Sequence, residues 1–257
     1  MKARYRVSWT AAAVVLLLTS GALGASSEMD GRIEASAKSS YVFQTYLKGD
    51  DIRIESMGGV VVLAGTVAEE LHKSLAQETV ASLPGVKSVD NRLELRSGGP
   101  SEDSDAQISG KVKAALLFRR NVDASQIEVF VKDGIVILRG DAGSQAQKDL
   151  ATEYAKAVEG AKAVKNEMTV SGTRKNVYEA TMRGKIDDAS ITAQIRMALL
   201  IHQSTSVLST RVDTNDGVVT LHGKASNAAE KELVTKLVAD IKGVKTVKNE
   251  MTIGESK

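Results

Sequence analysis

Aliphatic residues in this chain recur at helical spacing, then at strand spacing, and the alternation runs through the sequence three times. Ile191, Ile195, Ala198 and Leu199 share one helical face, as do Ile108, Val112, Ala115 and Leu116. The first copy offers Ile33, Ala37, Ser40 and Tyr41 there, so its helix is expected to be the weakest. A strand pair follows each helix, with turns predicted at Gly58-Gly59, Asp133-Gly134 and Asp216-Gly217, because tight hairpins need positive φ. The second strand of the middle copy, Ile135 to Leu138, is apolar throughout, which predicts a central strand buried on both faces. A second amphipathic helix carries Leu71, Leu75, Thr79 and Leu83, matched by Ala229, Leu233, Leu237 and Ile241, and stops at Gly85, Gly160 or Gly243. The last strand puts Val164, Asn166, Met168 and Val170 on one face. The class is therefore α+β: three tandem α-β-β-α-β modules. Each is a small three-stranded mixed sheet, with a right-handed crossover and two helices on one face.

Residues 31–95, 106–170 and 189–253 align without a gap, and eleven columns are identical in all three. They comprise Ile33/108/191, Gly59/134/217, Val61/136/219, Leu63/138/221, Gly65/140/223, Lys73/148/231, Leu75/150/233, Gly85/160/243, Lys87/162/245, Val89/164/247 and Asn91/166/249. Residues 96–105, rich in Gly, Ser and acid, read as a flexible linker, and 171–188 as a longer one with basic residues around Tyr178.

Residues 1–24 have the form of a signal peptide: Lys2, Arg4 and Arg6, an apolar stretch from Ala11 to Leu18, then Ala22-Leu23-Gly24. Export to the periplasm is expected, and with no cysteine in the chain neither a lipid anchor nor a disulfide is. The formal charge of +2 falls to −1 without that segment, which removes the support for nucleic-acid binding. The remaining charge is uneven, −6 over residues 25–105 and +5 beyond, so the second and third copies read as the basic part.

The Asp-Gly-x-Val-x-Leu-x-Gly hairpin at Asp216 to Gly223 and the Gly-Val-Lys-x-Val-x-Asn strand at Gly243 to Asn249 resemble the BON domain family. The second copy has Ala161 in place of Val, and the first has Gly58 in place of Asp. The resemblance implies periplasmic residence and envelope or osmotic-stress roles. It also implies phospholipid contact in some members and chaperone-like service to exported proteins in others.

Chemistry fails to recur. His72 aligns with Gln147 and Glu230, His202 with Gln44 and Arg119, and His222 with Ala64 and Arg139. There is no nucleophile elbow or phosphate loop, and no carboxylate pair is shared by the copies. No enzyme, cofactor, metal or small-molecule substrate is expected. What recurs is basic: Lys148, Lys162, Lys231 and Lys245, with Lys113 and Arg196 on the first helices, are candidates for anionic-lipid contact. Beyond the core face of those helices lie Leu117-Phe118 and Leu200-Ile201, expected as an apolar tip if exposed. The leading expectation is an envelope-stress protein touching anionic phospholipid or the membrane periphery. A chaperone for unfolded exported proteins and a protein-binding scaffold are the alternatives.

Overall fold

The computed structural model describes residues 20–96, 104–171, 186–205 and 210–254, with side chains from residue 27 onward except at residue 104. Most of the expected signal segment and of both linkers lies outside the described residues.

Module 1 runs α1 (Ser20–Ser39), α2 (Tyr41–Thr45), β1 (Asp51–Met57), β2 (Val60–Val67), α3 (Glu70–Ala81) and β3 (Ser88–Leu95). Module 2 runs α4 (Ser104–Leu117), β4 (Ile127–Lys132), β5 (Ile135–Ala142), α5 (Gln145–Lys156), β6 (Ala163–Asn166) and β7 (Thr169–Val170). Module 3 repeats this as α6 (Asp188–Ile201), β8 (Thr210–Asn215), β9 (Val218–Ala225), α7 (Ala228–Ala239), β10 (Thr246–Asn249) and β11 (Thr252–Ile253). In each sheet the second strand is central, antiparallel to the first and parallel to the last, as the hairpin and crossover predict.

The recurring glycines have backbone reasons. The turns hold positive φ at both central positions, 54° and 79° at Asp133-Gly134 and 48° and 75° at Asp216-Gly217. Gly85, Gly160 and Gly243 sit at φ of 89°, 91° and 89° and let the first helix approach. A Cβ on Gly243 would stand 2.9 Å from Ile191 Cδ1, and one on Gly160 would stand 3.0 Å from Ile108 Cγ1. Two invariant columns, the isoleucine and this glycine, are thus one contact.

The weak first helix breaks where its pattern fails. Ser40, aligned with Ala115 and Ala198, adopts ψ of 150° and its hydroxyl accepts from Phe43 N, starting α2 afresh. Module 3 completes that new N-terminus: Tyr41 N donates to Asp187 (2.7 Å) and Val42 N to Ser190 (3.1 Å).

The helices face inward and pack across modules, while the sheets face out. Eleven of the fourteen residues of α6 are buried, including Ser190, Thr192 and Gln194, and Ser190 accepts from Val42 N of module 1. Among the described residues nothing covers the other face of the module 2 sheet. Ile135 and Ile137 are therefore only half-buried while Val136 and Leu138 are fully buried, which corrects the expectation of burial on both faces.

Candidate functional site

The recurring polar columns hold the fold. Asn166 donates its amide to Lys148 O (2.9 Å) and Thr152 Oγ1 (2.8 Å), and its oxygen accepts from Met168 N (3.0 Å). Lys148 Nζ then donates to Met168 O (2.6 Å), so two side chains satisfy one backbone unit where β6 breaks before β7. Asn249, Thr235 and Lys231 repeat this around Met251, with Lys231 Nζ 2.6 Å from its carbonyl. Module 1 keeps the asparagine bonds, but Lys73 pairs with Glu70 instead. Lys162 lays its stem over Gly134 and donates to Asp133 O (3.2 Å), while the stem of Lys245 lies over Gly217.

A twelfth column stands one residue before the aligned blocks: Asp30, Asp105 and Asp188. Each carboxylate accepts from both turn amides of its own hairpin. The distances are 2.8 and 3.0 Å at Gly58 and Gly59, 2.6 and 2.7 Å at Asp133 and Gly134, and 2.8 and 2.9 Å at Asp216 and Gly217. The column is visible in the sequence itself, because Asp30, Asp105 and Asp188 keep the same spacings of 75 and 83 residues.

The predicted cations of the first helices meet module 1. Lys113 pairs with Glu69 and Arg196 with Glu78, both at 3.1 Å. The charge asymmetry lies largely in the joints. Residues 29–97 hold 8 basic and 10 acidic groups, 104–172 hold 10 and 9, and 187–255 hold 8 and 9, whereas 173–186 hold four basic and one acidic.

The expected apolar tip does not form. Phe118 is fully buried and Ile201 is 4% exposed, Leu117 is half-buried, and Leu200 alone is open at 57%. The reason is a reciprocal pairing of modules 2 and 3. Lys242 N donates to Phe118 O (2.9 Å) and Arg120 N to Asp240 O (3.1 Å). At the corresponding residues with the modules exchanged, Glu159 N donates to Ile201 O (3.1 Å) and Gln203 N to Ala157 O (3.0 Å). Module 1 has Pro84 where these have Glu159 and Lys242, so it lacks the N–H the pairing uses.

Around this seam Arg119 is 2% exposed, donates to Leu237 O (2.7 Å) and lies 4.5 Å above the Tyr154 ring. Burial brings its pKa down to about 10, against the opposing pull of Asp240. Asp240, which accepts from Asn121 and from the Tyr154 hydroxyl, is shifted upward by burial despite Arg119 and Arg120. His202 is shifted downward, first by burial and then by Arg119.

The outward sheet faces differ. In corresponding cross-strand rows, module 1 has Glu55, Val62 and Asp90, module 3 has Asp213, Thr220 and Lys248, and module 2 has Phe130, Ile137 and Lys165. The next row of module 2 is Lys132, Ile135 and Ala163. Phe130 is 47% exposed, flanked on the other side by Arg139, whose guanidinium lies 5.4 Å from the ring and pairs with Glu167. Lys132 and Lys165 are exposed and meet no carboxylate within ion-pair distance among the described residues. The signal for this face was legible: Phe130 and Lys132 occupy the outward positions of a strand whose inward ones are Ile127, Val129 and Val131.

Two other histidines have local partners, His72 with Asp50 (2.6 Å) and His222 with Asp213 and Glu250 (3.6 and 3.3 Å). Among the described residues no helix is long and apolar enough to cross a membrane.

Three copies of one hairpin-and-crossover module, each clamped by the same aspartate, asparagine and glycines, define a tandem-repeat α+β protein. The chain belongs to the BON domain family, which matches residues 29–97, 104–172 and 187–255. It is 33% identical over 147 residues to the osmotically-inducible protein Y of Escherichia coli, covering 57% of this chain and 71% of that protein. It is 25% identical over 195 residues to the outer membrane lipoprotein DolP of Haemophilus influenzae, covering 74% of this chain and 90% of the relative. The C-terminal domain of CdsD from Chlamydia trachomatis overlays 89% of this chain and 98% of its own, at 16% identity and a TM-score of 0.21, too low to carry an argument.

Proposed function

We propose that this is a non-catalytic periplasmic protein of the envelope stress response that touches anionic phospholipid through the outer sheet face of module 2. The observation that supports it is the pair Lys132 and Lys165, without a carboxylate partner among the described residues, beside half-exposed Phe130, with Ile135 and Ile137 between them. An aromatic ring and aliphatic side chains enter the interfacial layer while lysines stay at the headgroups. Each cation near an anionic surface adds about 1 kcal/mol, so a patch this small gives reversible contact and no anchoring. Lys162 stands at the hairpin end of the same sheet and adds to the local charge. Lys113, Lys148, Arg196, Lys231 and Lys245 are assigned to hold the fold and its joints, and Leu117, Phe118 and Ile201 to packing. The names of the two relatives, one osmotically inducible and one an outer membrane lipoprotein, support an envelope setting.

Vesicle co-sedimentation tests this. The protein should pellet with phosphatidylglycerol vesicles and not with phosphatidylcholine, less so at high salt. Lys132→Glu/Lys165→Glu or Phe130→Asp should abolish pelleting without changing the circular dichroism. Pelleting that survives both variants would move the contact elsewhere, and no pelleting at all would end the reading.

A further inference from the structure

Strand β4 is an edge: it pairs with β5 on one side and, among the described residues, with no strand on the other. Lys132 and Ile135 flank a two-residue turn and form a hydrogen-bonded pair, so by alternation Phe130 and Glu128 also bond to β5. Val129 and Val131 therefore turn their amides and carbonyls to the open side. Module 1 has the same geometry and blunts it, because Ser56, the counterpart of Val131, donates its amide to Glu34 (2.9 Å). Module 2 carries Ser109 in place of Glu34. Its hydroxyl reaches Val129 O at 3.4 Å, which leaves that carbonyl a second lone pair, and no side chain among the described residues takes the Val131 amide.

The outward side chains of β4 are Glu128, Phe130 and Lys132, all exposed. Glu128 and Lys132 stand four residues apart on one strand, about 13 Å, and cannot pair within one copy. Neither meets an opposite charge within ion-pair distance among the described residues, and Arg139, across from Glu128, is bonded to Glu167. Laid antiparallel on a second copy of itself, the strand becomes complementary. With Phe130 opposite Phe130, Glu128 faces Lys132 of the second copy at both ends, and Val129 faces Val131, the two residues whose backbone groups are open. Aromatic pairs and opposite charges stabilise antiparallel neighbours. The same register would set Glu55 on Glu55 in module 1 and Asp213 on Asp213 in module 3.

We propose that the chain self-associates through β4, the edge strand of one copy running antiparallel to that of a second about a twofold axis at Phe130. This register brings the second copy's turn opposite Ile127. There the edge borders an open cavity of about 460 Å³, with Glu69, Leu71 and His72 of module 1 on its far side, so module 1 does not close the edge. The pairing joins two outer sheet faces into one and needs no membrane, so it goes beyond the lipid contact and stands or falls without it.

Sedimentation equilibrium of residues 25–257, in lipid-free buffer at up to about 0.5 mM, tests the proposal. One strand pair lies at the small end of specific interfaces, so a reversible monomer–dimer equilibrium is expected. Glu128→Lys and Lys132→Glu each oppose like charges at both ends and should each weaken association at least about tenfold. The double exchange Glu128→Lys/Lys132→Glu should recover most of it. Val131→Pro removes an open amide and no bond to β5, and should be monomeric with its circular dichroism unchanged. Because the chain has no cysteine, Phe130→Cys reads the register directly. Cysteines opposed at the axis lie within disulfide range and should cross-link two copies on mild oxidation, whereas Lys165→Cys, two strands away, should not. The proposal is overturned by a wild type that stays monomeric at every concentration, by a double exchange no tighter than either single variant, or by equal cross-linking through Lys165→Cys. Glu128→Lys keeps every group assigned to the lipid contact and should still pellet with phosphatidylglycerol vesicles, so the two readings fail separately.

Discussion

The residues that repeat in all three modules are the ones the backbone needs. Asp188 accepts two amides from a turn held at positive φ, and hydrogen bonds to a carboxylate are the strong ones. Asp188→Ala should lower stability by about 1–3 kcal/mol, read as a lower urea midpoint, and Asp188→Asn should recover part of it. His202 shows the opposite case, a residue found in one copy only. Its pKa in the folded protein lies below that of the unfolded chain, so as pH falls the unfolded state takes up the proton first. The stability it contributes is present above the unfolded value near 6.5 and is lost as the pH falls from there through the lower folded value. His202→Gln, the residue module 1 carries at this position, should flatten the stability profile between about pH 7 and 5 relative to the wild type. A profile unchanged by the substitution would show that burial at the seam does not disfavour the imidazolium.

Elements that look alike in the sequence have different fates because of single residues at their ends. The turn after α5 carries Glu159 and the turn after α3 carries Pro84, yet both turns lead into a glycine at nearly the same φ. Proline therefore fits that turn, and what it removes is the N–H donated to Ile201 O. Glu159→Pro should cost about 1 kcal/mol more than Glu159→Ala, which loses the ion pair to Lys111 but keeps the amide; thermal melts of the two variants separate these contributions. The helix that begins module 1 breaks at Ser40 and is capped from module 3 by Asp187 and Ser190, so its geometry depends on a module about 150 residues away.

At the scale of the molecule, modules 2 and 3 form a pseudo-twofold pair and module 1 docks on it by other means. The pair buries Phe118, Arg119, Ile201 and Ile241, and the reciprocal backbone bonds tie both halves into one seam. Residues 104–254 alone should unfold in one urea transition, with an m-value fitting both modules together. Residues 104–171 alone, with Phe118 and Arg119 exposed, should unfold at a clearly lower midpoint. Two separable transitions in the longer fragment would mean that the seam contributes little.

Much of the fold was readable because its determinants are local. A period of 3.6 or 2 marks an amphipathic element whatever surrounds it, and a turn that needs positive φ selects glycine or aspartate in each copy. The order of elements, the mixed sheet, the turn positions and the weak first helix all follow from such short-range rules. The candidate site was less legible. Lys148 and Lys231 look like free surface cations until the break after Asn166 and Asn249 brings a bare carbonyl to them. Phe118 and Ile201 look like an exposed tip until the partner module covers them.

By itself, then, the sequence determined three modules, their secondary structure and the backbone role of the recurring glycines, since these depend on neighbours a few residues apart. Tertiary structure alone decided which helix faces are buried across modules, that the outward sheet face with Phe130, Lys132 and Lys165 stays uncovered among the described residues, and that a cleft exists beside Leu200. Those outcomes rest on residues that do not repeat, Pro84, Arg119 and Asp187 among them. Their partners lie in other modules, where no local periodicity points.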